Sequence, residues 1–347
     1  MDTRINIMAG RLPLPENVLE RTNLLAFADA HHVLGQLAVT CLDKTEGKTA
    51  EVLENGLFRA AFDHQMLRFE MDRLERTLLG SGICPVVLKG GAYVAVGSKA
   101  GLGRRVSDLD ILVAGDEIDQ TEVLLKDADW VWEAGVDNEY DSNYYRKYMH
   151  ELPPLRHKKR RTIIDVHHML LPRTSTYKIR SDLMYQAAQF IQGTQLKVFT
   201  PIDRYIHSAI HSFADGSFDT PTRSVLELNL LFCELTYPER SKLIIRSKEV
   251  GAARPVAIAL WLQAEVLGDT AAIEALNALG PNKAGSIVKY AFKQKLIRSD
   301  KSYIAKLLLL VRGHLIRMPI HLLAVHGLKK AFRFIRKLAA KESPTAS

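Results

Sequence analysis

Two carboxylates stand two residues apart in the run Arg104-Arg105-Val106-Ser107-Asp108-Leu109-Asp110-Ile111-Leu112-Val113. The run has the length and the β-branched, apolar content of a strand. Because side chains alternate between the two faces of a strand, Asp108 and Asp110 are predicted to point to one side, while Leu109 and Ile111 point into the core. Carboxylates placed in this way predict a site for a divalent metal ion.

A glycine-rich turn precedes this strand. The turn lies in Val87-Leu88-Lys89-Gly90-Gly91 and ends the short apolar run from Ile83 to Leu88. The small residues from Ala92 to Val96 suit a helix, so the pattern predicts a strand, a glycine turn and a helix. Backbone N–H groups at the start of such a helix are suited to bind an anion.

A third acidic residue occupies a later strand-like run, Thr162-Ile163-Ile164-Asp165-Val166-His167. Phosphoryl and nucleotidyl transfer need metal ions that neutralise phosphate oxygens, and hard carboxylate ligands suit Mg²⁺. Two aspartates on one strand and a third on a neighbouring strand fit a site with two ions about 3.5 to 4 Å apart. We therefore predict that Asp108, Asp110 and Asp165 form one site.

The composition indicates a globular chain with an anionic partner. The chain has 347 residues, an apolar fraction of 47% and a net charge of +8. This charge fits a nucleoside triphosphate, nucleic acid or an acidic membrane surface, and it does not choose among them. Cys41, Cys84 and Cys233 lack the spacing of metal ligands, and we expect them to be reduced thiols. The sequence shows no signal peptide and no membrane-spanning segment, so we expect a cytoplasmic protein.

Helical patterns flank the strand-like runs on both sides. Apolar residues recur near a 3.6-residue period from Glu51 to Leu79, where Gly80-Ser81-Gly82 ends the helix. Residues 129–149 favour one or two edge strands, residues 153–161 favour a loop, and the pattern from Pro201 to about Ala340 is almost wholly helical. These observations predict an α+β protein with a small mixed β-sheet. The predicted divisions are an N-terminal helical segment at 1–54, a core at 55–198, and a C-terminal helical domain with a basic tail at 199–347.

The order of these motifs resembles that of the nucleotidyltransferase superfamily with the polymerase-β-like fold. Its signature is a glycine pair at a strand-to-helix turn, an Asp-x-Asp strand and a later single acid on a strand. More closely, the motifs resemble a bacterial nucleotidyltransferase family that is often associated with polysaccharide-biosynthesis loci. The similarity covers roughly residues 55 to 235, and its last part contains His207, His211, Arg223 and Glu227.

The resemblance implies a Mg²⁺-dependent transfer of a nucleotidyl group from an NTP to an unidentified acceptor hydroxyl or phosphate. Asp108, Asp110 and Asp165 would be the catalytic residues and would hold two Mg²⁺ ions. The residues expected at the triphosphate are Lys89, Gly90, Gly91, Arg104, Arg105 and Ser107. Lys89-Gly90-Gly91 replaces the Gly-Ser pair of the wider superfamily, so the Lys89 ammonium group would compensate for a missing hydroxyl.

Several of these residues also have a purely structural explanation. Gly90 and Gly91 are explained equally by a tight turn with positive φ, and Ser107 by closure of the turn before the strand. One of Arg104 and Arg105 would clamp phosphate oxygens, and the other would be a surface charge.

The histidines are less specific. His167 is expected on the same face as Asp165. His207 and His211 have the i, i+4 spacing of zinc ligands but lack a third ligand, which favours packing or hydrogen bonding.

Two basic segments and two further functions complete the predictions. Lys158-Lys159-Arg160-Arg161 is expected to be a solvated loop, and nucleic acid is not favoured as a partner because aromatic residues nearby are sparse. Residues 303–341 carry no acid, and they fit either peripheral contact with an anionic membrane or packing on the body.

The alternative functions are a non-catalytic scaffold in a polysaccharide-assembly complex and an RNA-modifying transferase.

Overall fold

The structure is a computed structural model that describes residues 2–133, 149–215, 218–280, 284–298 and 302–317. Within these ranges the chain forms 14 helices and one mixed sheet of seven strands. The predicted α+β class is confirmed.

Four helices precede the sheet. They are α1 (Thr3–Met8), α2 (Val18–Ala30), α3 (Leu34–Cys41) and α4 (Gly47–Leu78). The side chains of Asp2 and Asn17 accept hydrogen bonds from backbone N–H groups at the starts of α1 and α2, as N-cap residues do. α4 buries an apolar face that includes Leu53, Leu67 and Leu74. The predicted boundary after residue 54 lies inside α4, which is continuous.

The sheet contains β1 (Val86–Val87), β2 (Asp108–Leu112), β3 (Trp130–Trp132), β4 (Leu155–His157), β5 (Ile163–His167), β6 (Gln189–Phe190) and β7 (Lys197–Val198). The strand order is β3-β4-β5-β2-β1-β7-β6. β2 lies between antiparallel β1 and parallel β5. The chain connects these strands partly through α5 (Lys89–Ala95), α6 (Ile118–Asp127) and α7 (Ser181–Gln186). This order places the two aspartate-bearing strands side by side at the centre of the sheet.

Strand β4 corrects the prediction of a loop over residues 153–161. Leu155 and His157 are buried while Arg156 between them is half-buried, which is the alternation of a strand. Leu155 pairs with Ile164 of β5. The charged residues around this short strand hide its alternation in the sequence. In the segment 129–149, β3 provides one of the expected strands, and residues 134–148 lie outside the described residues.

Within the described residues, seven helices follow the sheet. They are α8 (Pro201–Ile210), α9 (Pro221–Glu234), α10 (Tyr237–Glu249), α11 (Ala253–Leu267), α12 (Thr270–Leu279), α13 (Ser286–Arg298) and α14 (Tyr303–Arg317). The helical region predicted from Pro201 is present as far as Arg317, where the described residues end. Buried side chains from all three predicted divisions, such as Leu37, Ile111 and Tyr205, belong to one hydrophobic cluster. The helices at both ends of the chain therefore share a core with the sheet.

The last described helix packs one face on the body. Ala305, Leu309, Gly313 and Ile316 of α14 are buried, and the backbone N–H of Thr176 donates to the Ile316 carbonyl at 2.8 Å. This observation agrees with packing for residues 303–317, whereas residues 318–341 of the basic segment lie outside the described residues. No helix within the described ranges has both the length and the apolar character needed to cross a membrane.

Two glycines allow a close backbone contact between α3 and the loop before β2. Gly103 has a φ of +65°. A Cβ atom on Gly35 would lie 2.3 Å from the carbonyl oxygen of Gly103 and 2.9 Å from that of Gly56. Backbone atoms cannot rotate away as a side chain can, so a side chain at Gly35 would force α3 away from this loop.

We expect Gly35→Ala to lower the free energy of unfolding by about 1–3 kcal/mol because the added methyl group overlaps backbone atoms. Urea titration followed by circular dichroism measures the change. Gly115→Ala is the matched control, because a Cβ atom there meets nothing within 4 Å. Equal midpoints for the two variants would contradict the prediction.

Candidate active site

Asp108, Asp110 and Asp165 lie on two adjacent strands. In the parallel pairing of β2 with β5, Asp110 is directly opposite Asp165, and Asp108 is opposite Ile163. Residues paired in register point to the same face of a sheet, so the three carboxylates share one face. The sheet thus places the three predicted site residues on one face, with Asp110 and Asp165 side by side.

Asp110 is the most enclosed of the three aspartates, with 4% of its surface exposed. Its Oδ1 accepts hydrogen bonds from Lys89 Nζ at 2.6 Å and from His167 Nε2 at 3.2 Å. Burial raises the pKa of Asp110, but Lys89 and His167 lower it by more, so the pKa lies well below its ordinary value. Asp110 is therefore an anion held between two donors.

The Lys89 ammonium group is the cation of this cluster. Burial lowers the pKa of Lys89, but the carboxylates of Asp110, Asp108 and Glu151 together raise it by more, so the pKa lies above its ordinary value. The φ of Lys89 is +46°, a left-handed conformation that costs a residue with a Cβ atom about 1–2 kcal/mol. The site thus holds Lys89 charged and in a strained backbone conformation.

Asp165 has a buried oxygen that the protein does not satisfy. Its Oδ1 has no hydrogen-bond partner among the described residues. Burial raises the pKa of Asp165 to about 7, and the carboxylates of Asp110 and Glu151 add to this effect. A buried acceptor without a donor, next to other carboxylates, fits a bound cation. The residues present therefore fit a divalent metal ion.

Asp108 lies at the more open edge of the cluster. It is half-buried, and its Oδ1 accepts a hydrogen bond from Ser107 Oγ at 3.2 Å. Asp108 is therefore more accessible to a substrate than the buried Asp110.

His150 and Glu151 join the site although the sequence pattern did not indicate them. Glu151 pairs with His167 in an isolated β-bridge, and its Oε2 lies 3.4 Å from His167 Nδ1 and 3.8 Å from His150 Nε2. Within the described part of the chain, these three residues form the one group whose potential ligand atoms all lie within 4.8 Å of one another. This proximity results from strand pairing, and no periodicity in the sequence predicts it.

Arg104 is buried rather than open to the site. Its Nε donates to Glu227 Oε1 at 2.8 Å, and its Nη1 donates to the Arg105 carbonyl at 3.1 Å. A Cβ atom on Gly90 would lie 1.9 Å from the same Nη1. Gly90 therefore leaves room for the guanidinium group, and the predicted contact of Arg104 with phosphate stays a prediction.

The alternative that Gly90 and Gly91 form a turn with positive φ is wrong. Neither glycine has a positive φ, whereas Lys89 does. A Cβ atom on Gly91 would lie 2.8 Å from Val87 Cγ1. Close packing requires both glycines, and their contact with a triphosphate remains a prediction.

Two other basic residues near the strands have acidic partners. Arg105 Nε donates to Asp63 Oδ2 of α4 at 2.5 Å. Arg160 donates to both carboxylate oxygens of buried Glu70, at 2.7 and 3.0 Å. The prediction that Lys158-Lys159-Arg160-Arg161 is a solvated loop is therefore wrong for Arg160, which ties the start of β5 to α4.

The C-terminal helices contribute Arg223 and His207. Arg223 Nε lies 3.6 Å from Glu227 Oε1. Burial lowers the pKa of Arg223, and Asp108 is among the charges that act on it. Burial likewise places the pKa of His207 well below its ordinary value, and its ring packs 5.6 Å from that of Phe199. This packing agrees with the structural explanation of His207.

Comparison with known families agrees with this arrangement of acids on adjacent strands. The sequence profile of a family described as uncharacterised nucleotidyltransferase matches residues 19–268. The chain belongs to this nucleotidyltransferase family. The match confirms the resemblance seen in the sequence motifs, and it supports nucleotidyl transfer as the general activity. The curated proteins contain no match to the chain.

We expect Asp165→Asn to stabilise this nucleotidyltransferase when metal ions are removed, because the substitution removes a carboxylate that is repelled by its neighbours. The expected gain at pH 8 in EDTA is roughly 1–2 kcal/mol in the free energy of unfolding. Asp127→Asn, at an exposed position at the end of α6, is the control and should change stability by less than about 0.5 kcal/mol. A loss of stability in Asp165→Asn would count against the repulsion.

Proposed function

We propose that the chain is a Mg²⁺-dependent nucleotidyltransferase that moves a nucleotidyl group from an NTP to a hydroxyl or phosphate of an acceptor. The observation that carries the proposal is the unsatisfied, buried Oδ1 of Asp165 beside Asp110 on the adjacent strand. Three carboxylates on one face supply the hard oxygen ligands that Mg²⁺ prefers.

The roles of the aspartates follow from their surroundings. When bound, the metal neutralises phosphate oxygens and lowers the pKa of the attacking hydroxyl. Asp108 and Asp110 are assigned to hold it, and His167 orients Asp110 through its hydrogen bond. Asp165, with a pKa of about 7, is assigned to accept the proton of the acceptor hydroxyl. The acceptor oxygen then bonds to the α-phosphorus as the bond to pyrophosphate breaks.

The triphosphate is assigned to the open edge of the cluster near Asp108. Ser107 and the backbone at Gly90 and Gly91 remain proposed contacts. Arg104 and Arg105 are engaged with Glu227 and Asp63. We therefore assign the main guanidinium contact to Arg223, whose ion pair with Glu227 is loose at 3.6 Å and whose side chain is 24% exposed.

Asp165→Asn should damage chemistry more than nucleotide binding, because Asp165 faces the nucleophile in this proposal. Turnover is expected to fall by at least about 100-fold, while the Kd for Mg-NTP changes by less than about threefold. Single-turnover kinetics and isothermal titration measure the two quantities separately. Equal losses in both would assign Asp165 to nucleotide binding instead.

The proposed function is tested by Mg²⁺-dependent release of pyrophosphate from each of the four NTPs, with cell extract as the source of acceptor. Labelled NTPs identify both the base that is used and the product. Wild-type protein should transfer label, and Asp108→Asn should not. Absence of transfer with every NTP would favour the scaffold alternative, whereas label recovered in RNA would favour the RNA-modifying alternative.

Surface-polysaccharide biosynthesis on the inner membrane face is the proposed setting, by analogy with the family that the motifs resemble. The outward face of α14 exposes Ile304 and Leu307, at 69% and 61%, which supports peripheral contact with an anionic membrane through residues 303–341. Full-length protein should sediment with anionic vesicles, and the double substitution Ile304→Ser, Leu307→Ser should reduce this binding. Equal recovery of both proteins in the supernatant would contradict membrane contact.

A further inference from the structure

The backbone directs Lys89 into the carboxylate cluster. Lys89 is the first residue of α5, and its φ of +46° is one that residues with a Cβ atom rarely adopt. The two glycines that follow would adopt this conformation without strain, yet they do not have it. Such strained residues persist where the surrounding structure holds them in place. The side chain that is held here ends at Asp110.

The ammonium group engages an oxygen that a second metal ion would need. Lys89 Nζ lies 2.6 Å from Asp110 Oδ1, and His167 Nε2 lies 3.2 Å from the same oxygen. A carboxylate that bridges two metal ions uses one oxygen for each ion. Because Oδ1 is already bonded to two protein donors, Asp110 has only Oδ2 left for a metal ion.

Within the described part of the chain, the carboxylates of this cluster that lack a positively charged partner are those of the other two aspartates. Asp165 Oδ1 is buried without a hydrogen-bond partner among the described residues. Asp108, at the more open edge, accepts a bond from the neutral hydroxyl of Ser107. When ionised, the three aspartates carry three negative charges, and one divalent cation together with one ammonium group balances them, while Glu151 is paired with His167 at 3.4 Å.

We propose that the Lys89 ammonium group takes the place of one of the two metal ions, so that the site binds a single divalent cation, held by Asp108 and by Oδ2 of Asp110 next to Asp165. This inference rests on the proposed function and replaces the two-ion prediction made from the sequence. Two-metal sites use both ions to neutralise phosphate charge. Here the ammonium group, which is part of the protein, supplies some of the positive charge that neutralises the phosphate, so no second ion has to bind from solution.

The number of Mn²⁺ ions bound per chain tests the inference without a measurement of activity. Mn²⁺ is added to the full chain without nucleotide, and free Mn²⁺ is quantified by electron paramagnetic resonance. Wild-type protein is expected to bind one ion at the aspartates, as is Lys89→Arg, which keeps the charge. Lys89→Met, which has an uncharged side chain of similar length, is expected to bind two. Asp108→Asn is expected to lose at least tenfold in affinity for the single ion.

A parallel titration of Glu151→Gln identifies any ion held by the neighbouring group of His150, Glu151 and His167, and that ion is subtracted from the count. Two ions at the aspartates of the wild type, or one ion in folded Lys89→Met, would overturn the inference and leave the proposed function standing. No ion at the wild-type aspartates would overturn both. If circular dichroism shows that Lys89→Met does not fold, the counts for wild type and Lys89→Arg decide: one ion each supports the inference, and any other count overturns it.

Discussion

Asp108→Asn is expected to lower the rate of nucleotidyl transfer by about 10³-fold or more. The substitution removes a charged ligand from the metal site, and metal ions supply several kcal/mol of charge stabilisation to the transition state. Affinity for Mg-NTP should fall at least about tenfold, because even indirect changes at metal sites have effects of that size. Isothermal titration with Mg-NTP and a pyrophosphate-release assay measure the two losses.

Asp108 is a cleaner position for this experiment than Asp110. Asp108 is half-buried, so an amide there leaves no buried charge without a partner. Asp110→Asn would deprive Lys89 and His167 of the anion that they share, and the loss of one member of a buried ion pair costs about 3–5 kcal/mol. Asp127→Asn is the matched surface control. Unchanged Mg-NTP affinity in Asp108→Asn would contradict the proposed metal site.

Arg104→Met is expected to lower the free energy of unfolding by about 3–5 kcal/mol, because it leaves the buried Glu227 carboxylate without its main partner. Arg104 is 8% exposed and Glu227 is 7% exposed, and their contact at 2.8 Å joins the loop before β2 to α9. Thermal and urea unfolding measure the change. The double variant Arg104→Met, Glu227→Gln should recover part of the loss, because neither charge then remains buried alone.

Arg105→Met is the control for this prediction, since the exposed part of the Arg105 side chain is 39% and such pairs contribute up to about 1 kcal/mol. The comparison also tests the phosphate clamp, which the sequence left open, against the buried ion pair with Glu227. A phosphate clamp at Arg104 predicts weaker NTP binding in Arg104→Met with stability unchanged. That result would overturn the structural role assigned to Arg104.

The elements that could be predicted from the sequence are those with a clear local pattern. The 3.6-residue period of α4 and the helical segments from Pro201 onward required only the order of apolar residues. β2 and β5 were predicted because each lies in a short apolar run of strand length that carries acids, two in β2 and one in β5. β4, β6 and β7 are two or three residues long, and a run of that length carries too little alternation to be recognised.

The active site shows the same distinction between local sequence patterns and features that depend on the fold. Sequence by itself determined that Asp108 and Asp110 share a face, because alternation along a strand is a property of the local backbone. The sequence also determined the family, because the order of the motifs along the chain can be recognised without knowledge of the contacts in the structure.

Only the tertiary structure decided that Asp165 lies beside Asp110, that Glu151 reaches His167, and that Lys89 neutralises Asp110. The structure likewise decided that Arg104 is buried against Glu227. Each of these contacts joins residues that are far apart in the chain, and burial selects the partners. A charged side chain that leaves water must meet an opposite charge, and only the packing of strands and helices determines which charge is within reach.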